Sequence, residues 1–193
     1  MAATPAYVLA ATAGQATAVS LCWIADATGA VLPTTVSTAL DASFKDLGYV
    51  TQDGATTSTA LSTTDIPVFG STSPVRTIIT GETLTVALTA LESNKVSEAL
   101  TTRQTLAAIT VTSATMSTTR GAGRDSLYSL VLDAVDGASS SAFRRVYPKI
   151  RVTTIGDAVL GFNNVLQYPF TFTAYTDGTG VSEYRYTKVT GLT

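Results

Sequence analysis

The residues that could carry chemistry are few, and their spacing is uninformative. The chain contains no histidine, which removes the commonest general base and the commonest metal ligand together. Its one cysteine, Cys22, sits in the apolar run Val19-Ser20-Leu21-Cys22-Trp23-Ile24 and reads as a buried thiol that forms no intrachain disulfide. Serine and threonine are abundant, so their presence selects no nucleophile. Neither the Gly-x-Ser-x-Gly elbow nor the Ser-x-x-Lys motif occurs. Asp133 and Asp136 are close in sequence but flank a turn, and no Asp-rich loop of the calcium-binding kind is present. Paired carboxylates of the glycosidase type leave no spacing signature, and no pair stands out. Gly121-Ala122-Gly123-Arg124 has two glycines and an arginine but lacks the pattern of a phosphate cradle. It reads as a mobile loop, or as a basic loop with Arg120 and Arg124 touching a partner carboxylate or DNA phosphate. These residues imply no cofactor, no metal and no enzyme.

The elements behind these residues are strands. Leu84, Val86, Leu88 and Ala90 alternate with polar or small residues, as do Tyr128, Leu130 and Leu132, then Val146, Pro148, Ile150 and Val152, then Phe170, Phe172 and Ala174. Val19, Leu21, Trp23 and Ala25 form a first strand, and Tyr184 and Tyr186 a last one. A period of two describes strands with one face in a core. Turn signals separate them at Asp53-Gly54, Asp136-Gly137, Gly156-Asp157 and Asp177-Gly178. Pro148 marks an edge strand or a bulge, because proline cannot donate to the ladder. One helix is predicted over about 93–102, capped by Ser93 or Asn94, with a short helix or turn at Ala39–Lys45. The fold class is mainly β, an antiparallel sandwich or barrel with one flanking helix. The length of 193 residues suits one domain over 1–193, with residues 1–17 open to reading as an extended arm.

The stretch 47–75 is rich in threonine, serine and glycine and poor in large hydrophobes. It is too long for an ordinary loop. It is either a flexible excursion or a hairpin about Asp53-Gly54 that a neighbour orders.

Net charge is −2, which argues against a strongly electrostatic nucleic-acid binder. Residues 1–98 carry three basic and eight acidic groups, whereas residues 99–193 carry nine basic and six acidic ones. Such a split suits a subunit with two complementary faces. Arg144, Arg145, Lys149 and Arg151 mark either a solvated strand face or a charged subunit contact. Residues 1–25 are uncharged but lack a basic n-region and a continuous apolar core, so no signal peptide and no membrane span is read.

Three stretches in order resemble the major tail protein (tail tube) family of siphoviruses, especially those infecting actinobacteria. They are Ala39–Gly54, with Leu-Asp-Ala, Leu-Gly-Tyr and Asp-Gly; Thr64–Gly70 followed by Pro74-Val75-Arg76-Thr77; and Phe143–Pro148 with Thr171–Tyr175 beyond it. The resemblance implies a β barrel or sandwich with a flanking helix, in which 47–75 is an inter-subunit loop. Subunits would form hexameric rings stacked head to tail, with the genome passing through the lumen without sequence-specific binding. Implied partners are copies of the chain itself and the tail tip or baseplate, tape measure and tail terminator proteins, with no membrane. The implied location is the virion tail, assembled in the host cytoplasm. The subunit-interface candidates are Leu47, Gly48, Tyr49, Asp53, Gly54, Asp65, Arg76, Arg144, Arg145, Lys149 and Arg151. The rival expectation is a β-sandwich binding module, a capsid decoration or a receptor- or carbohydrate-binding protein.

Overall fold

The computed structural model describes residues 21–136, 141–158, 162 and 164–189. The expected arm 1–17 and the Gly137 turn position lie outside them. The strands are β1 (Cys22–Asp26), β2 (Lys45–Asp46), β3 (Val50–Ile66), β4 (Arg76–Ala90), β5 (Thr110–Thr112), β6 (Thr115–Ser117), β7 (Tyr128–Asp136), β8 (Ser141–Ile155), β9 (Tyr168–Tyr175) and β10 (Tyr184–Lys188). One antiparallel sheet runs β2-β1-β7-β8-β9-β4-β3, with β10 added to β8, and β5-β6 forms a separate small hairpin.

Alternation translates directly into burial. Leu84, Val86, Leu88 and Ala90 of β4 and Tyr168, Phe170, Phe172 and Ala174 of β9 all point into the main core. Their registers pair Val86 with Phe172 and Leu88 with Phe170, and the Tyr168 and Phe170 rings stack at 6.4 Å. Strand β7 departs from the expected pattern, because both of its faces are buried. Tyr128, Leu130 and Leu132 enter the main core. Val131 joins Ala25, Phe44 and Val146 in a second cluster, covered by Ala30, Leu32 and Leu40. The segment 27–44 folds over that face. Within it Ala39–Lys45 is a turn rather than a helix: the Phe44 N–H donates to the Asp41 carbonyl at 3.0 Å.

The helix α1 (Lys95–Thr102) forms where its cap demands. The Asn94 side chain accepts from the Val96 and Ser97 N–H groups at 2.9 and 3.0 Å, and the Asn94 N–H donates back to Ser97 Oγ at 2.8 Å. Val96, Ala99 and Leu100 then plug the core.

Strand β8 is central, not an edge, and Pro148 forms a bulge in it. The register with β7 slips between Tyr128↔Ile150 and Leu130↔Tyr147. Ala142–Val146 pairs with β10, whereas Lys149–Ile155 pairs with β9. Pro148 sits at the handover, where no ladder N–H is needed on that side, and the Ser129 hydroxyl donates to its carbonyl at 2.7 Å. On that side β8 therefore exchanges one neighbour for another at this residue, β10 before it and β9 after it.

The stretch expected to be a loop is mostly strand. β3 and β4 pair continuously apart from two register shifts, and the connecting turn lies at 67–75 rather than at Asp53-Gly54. Gly54, with φ of +67°, instead makes the bulge between Val50 and Ala55. Polar alternation hid this strand: its residues are mainly Thr, Ser and Ala, with no buried face to display.

Candidate assembly surfaces

The candidate residues fall in four places. Leu47, Gly48 and Tyr49 form a seam. The Leu47 N–H donates to the Cys22 carbonyl at 3.0 Å and the Leu91 N–H to the Tyr49 carbonyl at 2.8 Å, so this short link joins the β1 side of the sheet to β4. The Leu47 side chain is fully buried in the core, whereas Tyr49 is 59% exposed. Gly48 has φ of +87°, and a Cβ there would collide with the Glu92 carboxylate, which accepts the Tyr49 N–H at 2.8 Å.

Asp53 is exposed beside the Gly54 bulge, at the base of the β3–β4 hairpin. Asp65 and Arg76 lie at the far end of the same hairpin, brought together across it: Asp65 pairs with Thr77 and Ile66 with Arg76. The Thr77 hydroxyl donates to Asp65 Oδ1 at 2.6 Å.

That far end is the most unusual surface described. β9 supports β4 only from Leu84 onward. Among the described residues, 76–83 pair with β3 alone, so the ribbon projects about 27 Å beyond the sheet. An isolated two-stranded hairpin is marginal in water. This one also exposes Leu61, Ile66, Val68, Phe69, Val75 and Ile79, with Phe69 fully exposed. The tip is nevertheless ordered: the Val75 N–H donates to the Ile66 carbonyl at 3.1 Å, and Ser71 Oγ donates to the Ser73 carbonyl at 2.9 Å. Sequence reasoning placed assembly in this region but missed its apolar tip. The available signal was the cluster Ile66-Pro67-Val68-Phe69 within a polar stretch.

The β8 cations do not share a face. Arg144 is buried; it forms a two-point ion pair with Asp133, Nε–Oδ1 at 2.6 Å and Nη2–Oδ2 at 2.8 Å. Its Nη1 donates to the Thr35 and Thr38 carbonyls at 2.9 and 2.6 Å, which pins the 27–44 segment. Arg145 lies 3.8 Å from Glu183, whose other oxygen holds Arg185 at 2.6 Å. Beyond the bulge, Lys149 and Arg151 turn outward. Arg151 pairs with Asp125 at 2.8 Å and stands 5.3 Å over the Tyr175 ring.

A polar cluster ties the hairpin base to β10. The Tyr147 hydroxyl lies 3.0 Å from Glu183 Oε1 and 3.2 Å from Thr57 Oγ1. Burial chiefly pushes the Tyr147 phenol above its ordinary range. Burial also pushes up the Cys22 thiol, which has no exposed surface. Among the described residues no three His, Cys, Asp or Glu side chains converge as metal ligands, and no helix is long and apolar enough to cross a membrane.

The outer face of β3-β4-β9 has a distinct chemistry. Thr83, Thr85, Ala87 and Thr89 alternate with the buried β4 residues, and Thr171 and Thr173 with those of β9. Their hydroxyls bond within the sheet: Thr85 Oγ1 donates to the Ser58 carbonyl at 3.4 Å, and Thr173 Oγ1 to Thr153 Oγ1 at 3.2 Å.

No curated protein matches the chain. A family model described as phage tail tube protein matches residues 2–187. With that match over nearly the whole length, the chain belongs to the phage tail tube protein family, whose members assemble with themselves as structural components of a viral tail.

Proposed function

We propose that this chain is the repeating subunit of the tail tube of a long-tailed siphovirus-type phage, forming hexameric rings that stack head to tail around a lumen through which the genome passes. The whole chain acts as one tail-tube domain. The observation that carries the reading is the free-standing β3–β4 ribbon with its exposed apolar tip, an element marginal on its own that a partner surface would stabilise.

Two further features support it. Among the described residues, no strand pairs with the outer edge of β3, and Arg151–Ile155 of β8 pair with β9 alone. Open edges are a liability in a monomer and a joining device in a ring. The threonine face of β3-β4-β9 carries few charges, and its Thr85 and Thr173 hydroxyls are bonded within the sheet. Such a face suits a wall past which DNA must slide, because a basic lining would hold phosphate. The hexameric count rests on the family resemblance. The same resemblance suggests tail tip, tape measure and terminator proteins as partners, and assembly in the host cytoplasm.

Tyr184 and Tyr186, the strand aromatics a binding module could have displayed, pack against the second cluster, and the ring that stands free is Phe69 at the ribbon tip. Negative-stain microscopy of the purified protein, with and without a tail tip complex, tests the proposal. Tubes of uniform bore are the expected result. Monomers at every concentration under both conditions overturn it.

A further inference from the structure

The ribbon leaves the body at a definite place. On β4 the first buried residue is Leu84, and on β3 the last partly buried residue is Thr57, with Ser58–Ile66 exposed beyond it. Thr57 stands opposite Val86, and its hydroxyl lies 3.2 Å from that of Tyr147 on β8. Among the described residues this is the one side-chain hydrogen bond from β3 to a strand other than β4. The bonds at Ser58, Ser62 and Asp65 all come from β4. Apart from the ladder, a single polar contact therefore ties the root of the ribbon to the body.

The protons available fix the direction of the bonding. A carboxylate only accepts, so the Tyr147 hydroxyl donates to Glu183 Oε1 at 3.0 Å. Its one proton is then spent, and Thr57 Oγ1 must donate to the Tyr147 oxygen. The relay ends on a well-held charge. The Glu183 side chain is 7% exposed; its Oε2 accepts from Arg185 Nε at 2.6 Å, and its Oε1 lies 3.8 Å from Arg145 Nη1. Arg145 and Arg185 stand directly opposite each other in the β8–β10 register, where like charges repel, so the shared carboxylate also holds β10 to β8. On the other face of β10, Tyr184 and Tyr186 pack against the second cluster. Glu183 is thus fixed from both sides of its strand, and Tyr147, fully buried in the main core, carries that position across to β3.

We infer that Thr57, Tyr147 and Glu183 are positioning residues that set the stance of the ribbon on the body, so that its tip meets a partner in one orientation. The inference rests on the ribbon being the assembly element proposed above. A hairpin left to pivot at its root must be ordered when it binds, which costs affinity.

Hydrogen exchange on the monomer tests the relay independently of polymerisation. Thr57→Val keeps the side-chain shape and removes the donor, and Tyr147→Phe removes only the bridging hydroxyl. Each should speed exchange of the ribbon amides in 58–66 and 76–83 about fivefold, the worth of one hydrogen bond, and leave β7 and β9 amides unchanged. The double variant should go no faster than the faster single, because the two groups act through one contact. Unchanged ribbon rates, or acceleration shared equally by every strand, overturn the inference. Polymerisation is the second readout: Thr57→Val should raise the critical concentration about fivefold. A ribbon that exchanges faster yet polymerises at the unmodified concentration overturns the positioning role and leaves the tail tube reading standing. Failure of the unmodified protein to polymerise overturns both that reading and the role given to the relay.

Discussion

Arg144 and Asp133 face each other across the β7–β8 register and bond at two points, while the same guanidinium holds the Thr35 and Thr38 carbonyls. One side chain thereby fixes both the sheet and the segment that covers its second core. Arg144→Ala leaves the Asp133 carboxylate and two carbonyls without their partner. Loss of one member of a buried pair costs about 3–5 kcal/mol. Chemical denaturation should show a drop at or below the lower end of that range, since Asp133 is partly exposed. Arg144→Lys should recover little, because an ammonium cannot reproduce the fork. A loss below about 0.5 kcal/mol would remove the stapling role.

Gly48 makes a separate prediction. Its left-handed backbone disfavours any side chain by roughly 1–2 kcal/mol, and a Cβ also collides with Glu92. Gly48→Ala should therefore destabilise by more than the backbone term alone. In a Glu92→Ala background the steric part vanishes and only the backbone part remains. A thermal-denaturation double-mutant cycle measures the difference. Equal costs in both backgrounds would show that Glu92 moves aside freely.

The hydrogen bond from the Tyr184 hydroxyl to Asp177 Oδ2, at 2.6 Å, shapes both ends of the pH profile. Tyr184 is the first cause holding the Asp177 carboxyl below its ordinary value of 3.8, followed by Thr179 and the Val181 N–H. A depressed carboxyl contributes stability that is present above the unfolded value and lost as pH falls through the folded one. Asp177 in turn raises the Tyr184 phenol above 10.0. That contribution is present below the unfolded value and lost as pH rises through the folded one. Tyr184→Phe should therefore flatten the acid limb below about pH 4 and the alkaline limb above about pH 10. Thermal midpoints across the pH range check this, and unchanged limbs would contradict it.

The residues that were legible in sequence are those whose partners are local. Asn94 and Ser97 cap a helix within one turn of each other. Leu84 to Ala90 and Phe170 to Ala174 carry a period of two because one face meets a core. The assembly residues were legible only as regions. Leu47 belongs to the core because Cys22 and Asn94 hold its backbone from distant positions, which composition cannot reveal. Arg144 is buried because a segment more than a hundred residues earlier folds over it. The β3 strand was invisible as a strand because its outer half buries nothing in the protomer. A periodic signal needs a buried face, and in the proposed assembly a separate copy would supply it.

That last point yields a direct experiment on the ribbon. Its outer part, 61–82, lies beyond the stretch where β9 supports β4, and its residues are absent from both core clusters. Replacing 61–82 with Asn-Gly joins Ala60 to Thr83, which already face each other in the register, through a turn that two-residue hairpins favour. No core contact is removed, so the thermal midpoint should stay within about 2–4 °C of the unmodified protein, the shift that about 1 kcal/mol produces at this size. Polymerisation should fail, because the element that reaches beyond the protomer is gone. Sedimentation and microscopy on the same sample separate the outcomes. A folded monomer without tubes supports the ribbon as the bridge between rings. Intact tubes of normal bore from the shortened chain would place the stacking contacts elsewhere on the subunit.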